Sequence, residues 1–208
     1  MGIPVWTDDF YHPGKVIEDG LNRLGEDFTY IYDANAIDPA CLDETPILVL
    51  AKSNVRDQAH RTPYMTEALA DRLVRFVREG GGLLVLHSGT TTYQEFPAIK
   101  ALIGGVFVTH PEPLPVTCRL KAGHPLTAGA VDCTFVDEHY QMDVNGDIEV
   151  FMHTVSDHGE QPGGWLRHEG KGRVCVLTPG HFPPVFEDSN FQQLLRNALA
   201  FCKGTLQA

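Results

Sequence analysis

The sequence predicts an α/β fold: a doubly wound, mainly parallel sheet with helices on its faces and an antiparallel extension. Three observations carry that prediction. Over the first 90 residues, apolar runs and helix-period stripes alternate as β-α-β-β-α-β, the pattern of a parallel sheet built from crossover units. The run Gly82-Leu83-Leu84-Val85-Leu86 follows two further glycines and stops abruptly on His87-Ser88-Gly89, as a strand buried on both faces does. From Val106 onward several strand-like segments succeed one another with no long helix between them, which suits antiparallel pairing.

Each element has a local reason. Ile3 to Trp6 opens as a short strand, with Pro4 tolerated near its start. The polar loop Thr7-Asp8-Asp9-Phe10-Tyr11-His12-Pro13 leads into a helix on which Val16, Ile17, Leu21 and Leu24 share helical spacing, and Gly25 stops it. Phe28 to Tyr32 is a second strand. Thr45 to Ala51 is a third, ending in Lys52-Ser53-Asn54. Thr66, with Glu67 behind it, is the N-cap expected for a helix through Arg78, whose buried stripe would be Leu69, Leu73, Val74 and Val77. Pro97 to Ile103 is a short helix that Gly104-Gly105 terminates.

The extension takes Val106 to Thr109, Leu114 to Leu120, Phe135 to Asp143 and Ile148 to Val155 as strands. Trp165 to His168 and Arg173 to Leu177 pair as a hairpin around Glu169-Gly170-Lys171-Gly172. Asp188 or Ser189 caps a final helix whose Phe191, Leu194, Leu195, Ala198, Leu199 and Phe201 face the core. No repeat, low-complexity segment or linker interrupts the chain, so one domain over residues 1–208 is expected.

Charge and cysteine usage exclude several function classes. With 16 Lys and Arg against 27 Asp and Glu, the net charge of −11 repels phosphate backbones and anionic lipid. Neither nucleic acid nor membrane is an expected partner. The five cysteines form no CxxC pair, so neither a disulfide framework nor a thiolate zinc site is indicated, and a reducing cytoplasm suits them. The first residues carry no basic leader, and no apolar run reaches membrane-spanning length. The antiparallel part is the candidate surface for a homo-oligomer.

Open α/β sheets bind ligands beyond the carboxyl ends of their strands. Three such ends carry unusual polar groups here: Asp8, Asp9 and His12; His87 and Ser88; and His181. Of the ten histidines, His60, His158 and His168 read as surface residues, His153 as a sheet histidine and His124 as a turn builder. His110, just past a strand, stays a site candidate. Asp137-Glu138-His139-Tyr140 is the other dense cluster, able to bind sugar hydroxyls, ligate a metal or act as a base. Histidines with a carboxylate suit zinc or a similar divalent ion, with His12, His87 and His181 as the metal candidates. HExxH, GxSxG, a Walker sequence and a GxGxxG after the first strand are all absent.

In ordered pieces over nearly its whole length, the sequence resembles the ThuA-like, trehalose-utilisation family. The pieces are Val5-Trp6 with Asp9 and His12; Gly81 to Gly89; Gly104-Gly105-Val106-Phe107 leading to His110; and His124-Pro125-Leu126-Thr127-Ala128-Gly129. They continue with Asp137-Glu138-His139-Tyr140, Gly170 to Val174 running on to Pro179-Gly180-His181, and Leu194-Leu195-Arg196-Asn197-Ala198. The resemblance implies a flavodoxin-like three-layer sandwich related to class I glutamine amidotransferases, and a role in carbohydrate, especially disaccharide, utilisation. The amidotransferase relatives carry a nucleophilic cysteine at the elbow where this chain has His87, and a late histidine to which His181 corresponds. Glutamine hydrolysis through a thiolate is therefore not expected.

The resulting expectation is an enzyme doing acid–base or metal-assisted chemistry on a sugar or oxidised-sugar derivative. His87, His181 and Glu138 would be its catalytic groups, and Asp9, His12, Ser88, His110, His139 and Tyr140 would position the substrate. A retaining glycosidase fits less well, because it needs two placed carboxylates and Glu138 stands alone. The alternative from another class is a non-catalytic sugar-binding or regulatory module that kept the amidotransferase-like fold and lost its nucleophile.

Overall fold

The computed structural model describes residues 2–8, 13–56, 59 and 61–208. These residues form β1 (Ile3–Thr7), α1 (Pro13–Asn22), β2 (Phe28–Ile31), β3 (Ile47–Ala51), α2 (Glu67–Arg78), β4 (Gly82–Leu86), α3 (Pro97–Ile103) and β5 (Gly105–Thr109). There follow β6 (Leu114–Leu120), β7 (Cys133–Asp137), β8 (Gln141–Val144), β9 (Glu149–Ser156), β10 (Gly159–Glu169), β11 (Gly172–Leu177), α4 (Pro183–Glu187) and α5 (Ser189–Cys202).

Successive side chains of a strand point to opposite faces of its sheet, so an all-apolar strand feeds two cores at once. Val49, Leu84 and Cys175 join one core, beneath α1, α4 and α5. Leu48, Leu50, Leu83, Val85, Val174 and Val176 join the other, beneath α2 and α3. The result is three layers, helices on both sides of a mixed sheet.

The main sheet runs β2-β1-β3-β4-β11-β10-β9-β6-β7. Its first five strands are parallel and the remainder are joined antiparallel. The parallel half has the spatial order 2-1-3-4-5 of flavodoxin-like sheets, whose switch point lies between the first and third strands. β5 and β8 form a separate two-stranded antiparallel ribbon.

The caps follow the local signals. Thr66 accepts a hydrogen bond from the Leu69 amide, 3.2 Å, at the start of α2. Asp188 accepts from the Asn190 and Phe191 amides at the start of α5. α3 ends on Gly104 in the left-handed region, φ 83°, which glycine enters without strain.

Some expectations needed correction. Phe135 to Asp143 is not one strand: β7 ends at Asp137, β8 starts at Gln141, and the three residues between them turn the chain from the main sheet into the ribbon. β10 begins at Gly159 rather than near Trp165, bending at Pro162–Gly164 with an irregular register. α4 lacked a sequence signal, since five residues hold too little periodicity to see. The buried stripe of α2 is Ala70, Leu73, Phe76 and Val77, with Leu69 and Val74 half-buried at its margins. Among the described residues no helix is long and apolar enough to cross a membrane.

Candidate functional site

The site is built where β4 and β11 end. β4 runs into a single tight turn, His87–Thr90, and that turn lies hard against β3. A Cβ on Gly89 would sit 2.1 Å from the Leu50 carbonyl oxygen, so this position admits no side chain. Ser88 Oγ donates to the Ala51 carbonyl at 2.7 Å, tying the turn to the end of β3. His87 is held with φ 40°, in the left-handed region.

Among the described residues only Arg61, His87 and Thr92 are non-glycine residues with positive φ, and all three line one cavity of about 290 Å³. Such conformations cost roughly 1–3 kcal/mol each and cluster at functional sites.

Hydrogen bonding defines the state of His87. Its Nδ1 lies 2.8 Å from the Thr178 carbonyl at the end of β11. A carbonyl only accepts, so Nδ1 carries the proton. Nε2 then faces Tyr140 Oη at 2.9 Å and Glu138 Oε2 at 3.5 Å. Burial, reinforced by the nearby Glu138 and Asp137 carboxylates, pushes the Tyr140 hydroxyl well above its ordinary range. Tyr140 is therefore protonated, and its hydroxyl lies within hydrogen-bond distance of Nε2. The two rings stack with centroids 4.4 Å apart.

Glu138 is the hub. Its Oε2 lies 3.1 Å from His181 Nδ1, and its Oε1 lies 3.5 Å from His110 Nε2. Burial works to raise its pKa, but hydrogen bonds to His181 and His87 and the charge on those rings prevail, holding it well below the usual carboxylate range. It is ionised. His110 donates through Nδ1 to the Pro111 carbonyl, 2.8 Å, which turns Nε2 toward Glu138.

Two buried carboxylates support this group from behind. Asp137, wholly buried, accepts from the Gly180 amide at 2.8 Å and the His181 amide at 3.0 Å. Burial raises its pKa against the His87 charge and those backbone bonds. Asp8, at the end of β1, accepts from the Ser53 amide at 2.9 Å and meets Lys52 Nζ at 3.3 Å. Lys52 also donates to the Tyr32 carbonyl at 2.9 Å. This pair braces the strand end that delivers Ser53 to the cavity wall.

Ser88, His110, Tyr140, His87, Glu138 and His181 thus all reach one cavity. His139 does not join them. It is buried with Nδ1 2.6 Å from Ser156 Oγ and Nε2 3.2 Å from the Thr154 carbonyl. Side chains alternate along an extended segment, so Glu138 and Tyr140 share a side and His139 takes the other. Asp9 and His12 lie outside the described residues, as does His60. His124 caps a short turn, accepting from the Leu126 amide at 3.1 Å.

Arg61, Thr91, Thr92, Gln94 and Phe107 also line the cavity. They sit in loops or on a short ribbon, where no periodicity announces them. Asp137 could have been singled out only with its cluster neighbours. The donor set of His87, Glu138 and His181, one atom from each within 4.8 Å of the others, is a group that could hold a metal ion.

No curated protein matches the chain. Solved structures share its fold. A ThuA-like protein from Bacteroides uniformis superposes with a TM-score of 0.75 at 20% identity, over 96% of this chain and 90% of its own. One from Parabacteroides merdae gives 0.77 at 16% identity, over 99% and 91%. A β-galactosidase from Rahnella sp. R3 contains the same fold in 31% of its length, with a TM-score of 0.67 at 14% identity over 96% of this chain. In sequence, residues 5–202 match the ThuA family, described as trehalose utilisation. With nearly the whole chain matched and the elbow, the late histidine and the sheet order all in place, this protein belongs to the ThuA family.

Proposed function

We propose that this protein is an enzyme of disaccharide utilisation that transforms a sugar or an oxidised-sugar derivative, with His87, Glu138 and His181 carrying the chemistry. The supporting observation is the ionised Glu138 carboxylate set among three imidazoles on the wall of a small cavity. Perturbed titratable groups gathered in a cleft are characteristic of active sites.

The remaining wall suits a sugar. Ser88, Thr91, Thr92 and Gln94 offer donors and acceptors, while Phe107 and Tyr140 present apolar ring faces. At about 290 Å³, the cavity is at the small end of the range for ligand pockets, about 300–1,000 Å³. It would take one sugar ring, leaving the second ring of a disaccharide outside. His110 and Tyr140 stand beside Glu138 as groups able to pass a proton to or from a substrate oxygen. Among the described residues no cysteine lines this cavity, so the thiolate chemistry of amidotransferases has no nucleophile there. Five free thiols suit a cytoplasmic setting.

The test is incubation with trehalose, other disaccharides and their keto derivatives, followed by NMR for new products and for C–H exchange in D₂O. Glu138→Gln should lower turnover by about 10²-fold or more, the usual contribution of a positioned acid–base group, with sugar binding retained. Sugar binding without any conversion by the unaltered protein would overturn the enzyme reading in favour of a binding module.

A further inference from the structure

We infer that His87 Nε2, Glu138 Oε2 and His181 Nδ1 form a three-ligand site for a divalent cation of the zinc type, open toward the cavity. The inference deepens the sugar-processing reading and rests on it for its chemical purpose.

Spacing is the first argument. Zinc binds imidazole nitrogen and carboxylate oxygen at about 2.0–2.2 Å in a tetrahedron, which separates neighbouring donors by about 3.3–3.5 Å. Glu138 Oε2 lies 3.5 Å from His87 Nε2 and 3.1 Å from His181 Nδ1. Glu138 thus stands at near-ligand separation from both imidazoles, and all three donor atoms lie within 4.8 Å of one another.

The second argument is the surroundings. A ligating histidine almost always gives its other ring N–H to a carbonyl or carboxylate, which orients the ring and sets its tautomer. His87 does this through Nδ1 to the Thr178 carbonyl at 2.8 Å, leaving Nε2 as the nitrogen that faces Glu138. The second oxygen of Glu138 lies toward His110 Nε2 at 3.5 Å. The main chain of His181 is held by buried Asp137 through two amide bonds. The ring of His87 and the main chain of His181 are thus both anchored by hydrogen bonds.

The third argument is the donor set. Two imidazoles and one carboxylate with a free side is a catalytic rather than a structural arrangement, since structural zinc sites close with four protein ligands. Tyr140 Oη, 2.9 Å from His87 Nε2, stands beside that free side. A cation held there would polarise a carbonyl or hydroxyl oxygen of the sugar.

The experiment strips the purified protein with a chelator, reloads it with Zn²⁺ or Co²⁺, desalts it and measures bound metal by mass spectrometry. One equivalent per chain is expected, with the visible d–d bands of four- or five-coordinate Co²⁺ and a thermal midpoint raised by Zn²⁺. His87→Asn, Glu138→Ala and His181→Ala should each lose the equivalent and the thermal response. His158→Ala, on the exposed surface, should keep both. His110→Ala should weaken zinc by about tenfold, as loss of an outer-shell partner does. Where a ligand variant fails to fold, circular dichroism shows it, and the remaining two decide.

Less than 0.1 equivalent on the reloaded protein, or equal retention by all three ligand variants, overturns the site. A protein that converts a sugar but holds no metal overturns this inference and leaves the sugar reading intact. One that holds metal at these ligands but neither binds nor converts any sugar does the reverse.

Discussion

Lys52 shows how a single residue far from any helix cap can decide stability. Its ammonium is fully buried with Asp8, where burial raises the carboxyl pKa against the opposing effects of the Ser53 bonds and the Lys52 charge. Removing one member of such a pair leaves an uncompensated charge in low dielectric, typically costing about 3–5 kcal/mol. Lys52→Met is expected to lose that much in urea denaturation. The double variant Lys52→Met with Asp8→Asn should recover a large part of it, because the buried charge is then gone. A double variant as unstable as the single would show that the lysine acts through its bonds to the Thr7 and Tyr32 carbonyls instead of through charge. In sequence, Lys52 reads only as a polar strand end. Its burial depends on three strands meeting.

At the scale of elements, the break between β7 and β8 is what makes the site. After Asp137 the chain departs toward the β5–β8 ribbon, with Glu138 beside His87 and His181 and Tyr140 stacked on His87. Asp137 joins this break to the β11–α4 loop. Asp137→Ala should cost about 1–3 kcal/mol, the usual result of stranding buried amide donors, and should speed hydrogen exchange at Gly180 and His181 while β1 and β3 stay protected. Unchanged exchange at those two amides would refute the tie. The break was not legible, because the polar run Asp137-Glu138-His139 between Phe135 and Tyr140 does not show where a strand changes partners. The capped ends of α2, α3 and α5 were legible, because their causes lie within four residues.

For the molecule as a whole, β4 couples the two cores. Leu83 and Leu84 are both wholly buried, and as neighbours they face opposite sides of one strand, each in a different cluster. We propose that the chain unfolds as one domain on this account. Leu83→Ala and Leu84→Ala should each cost about 2–5 kcal/mol, and each should shift a single transition seen alike by fluorescence and circular dichroism. A variant that splits the transition into two would divide the chain into separately folding halves.

What the sequence by itself determined was whatever rests on neighbours in the chain. The strand periods, the caps, the glycine stops, the α/β class and the candidacy of His87, Glu138 and His181 all come from short-range patterns. Only the tertiary structure decided which candidates meet. His87 takes its carbonyl partner from 91 residues away and its phenol from 53 residues away, and His139 turns from the cavity although its neighbours Glu138 and Tyr140 enter it. Side-chain type can be read locally. Convergence depends on sheet order and on the face each strand presents, and those are settled by burying both cores together.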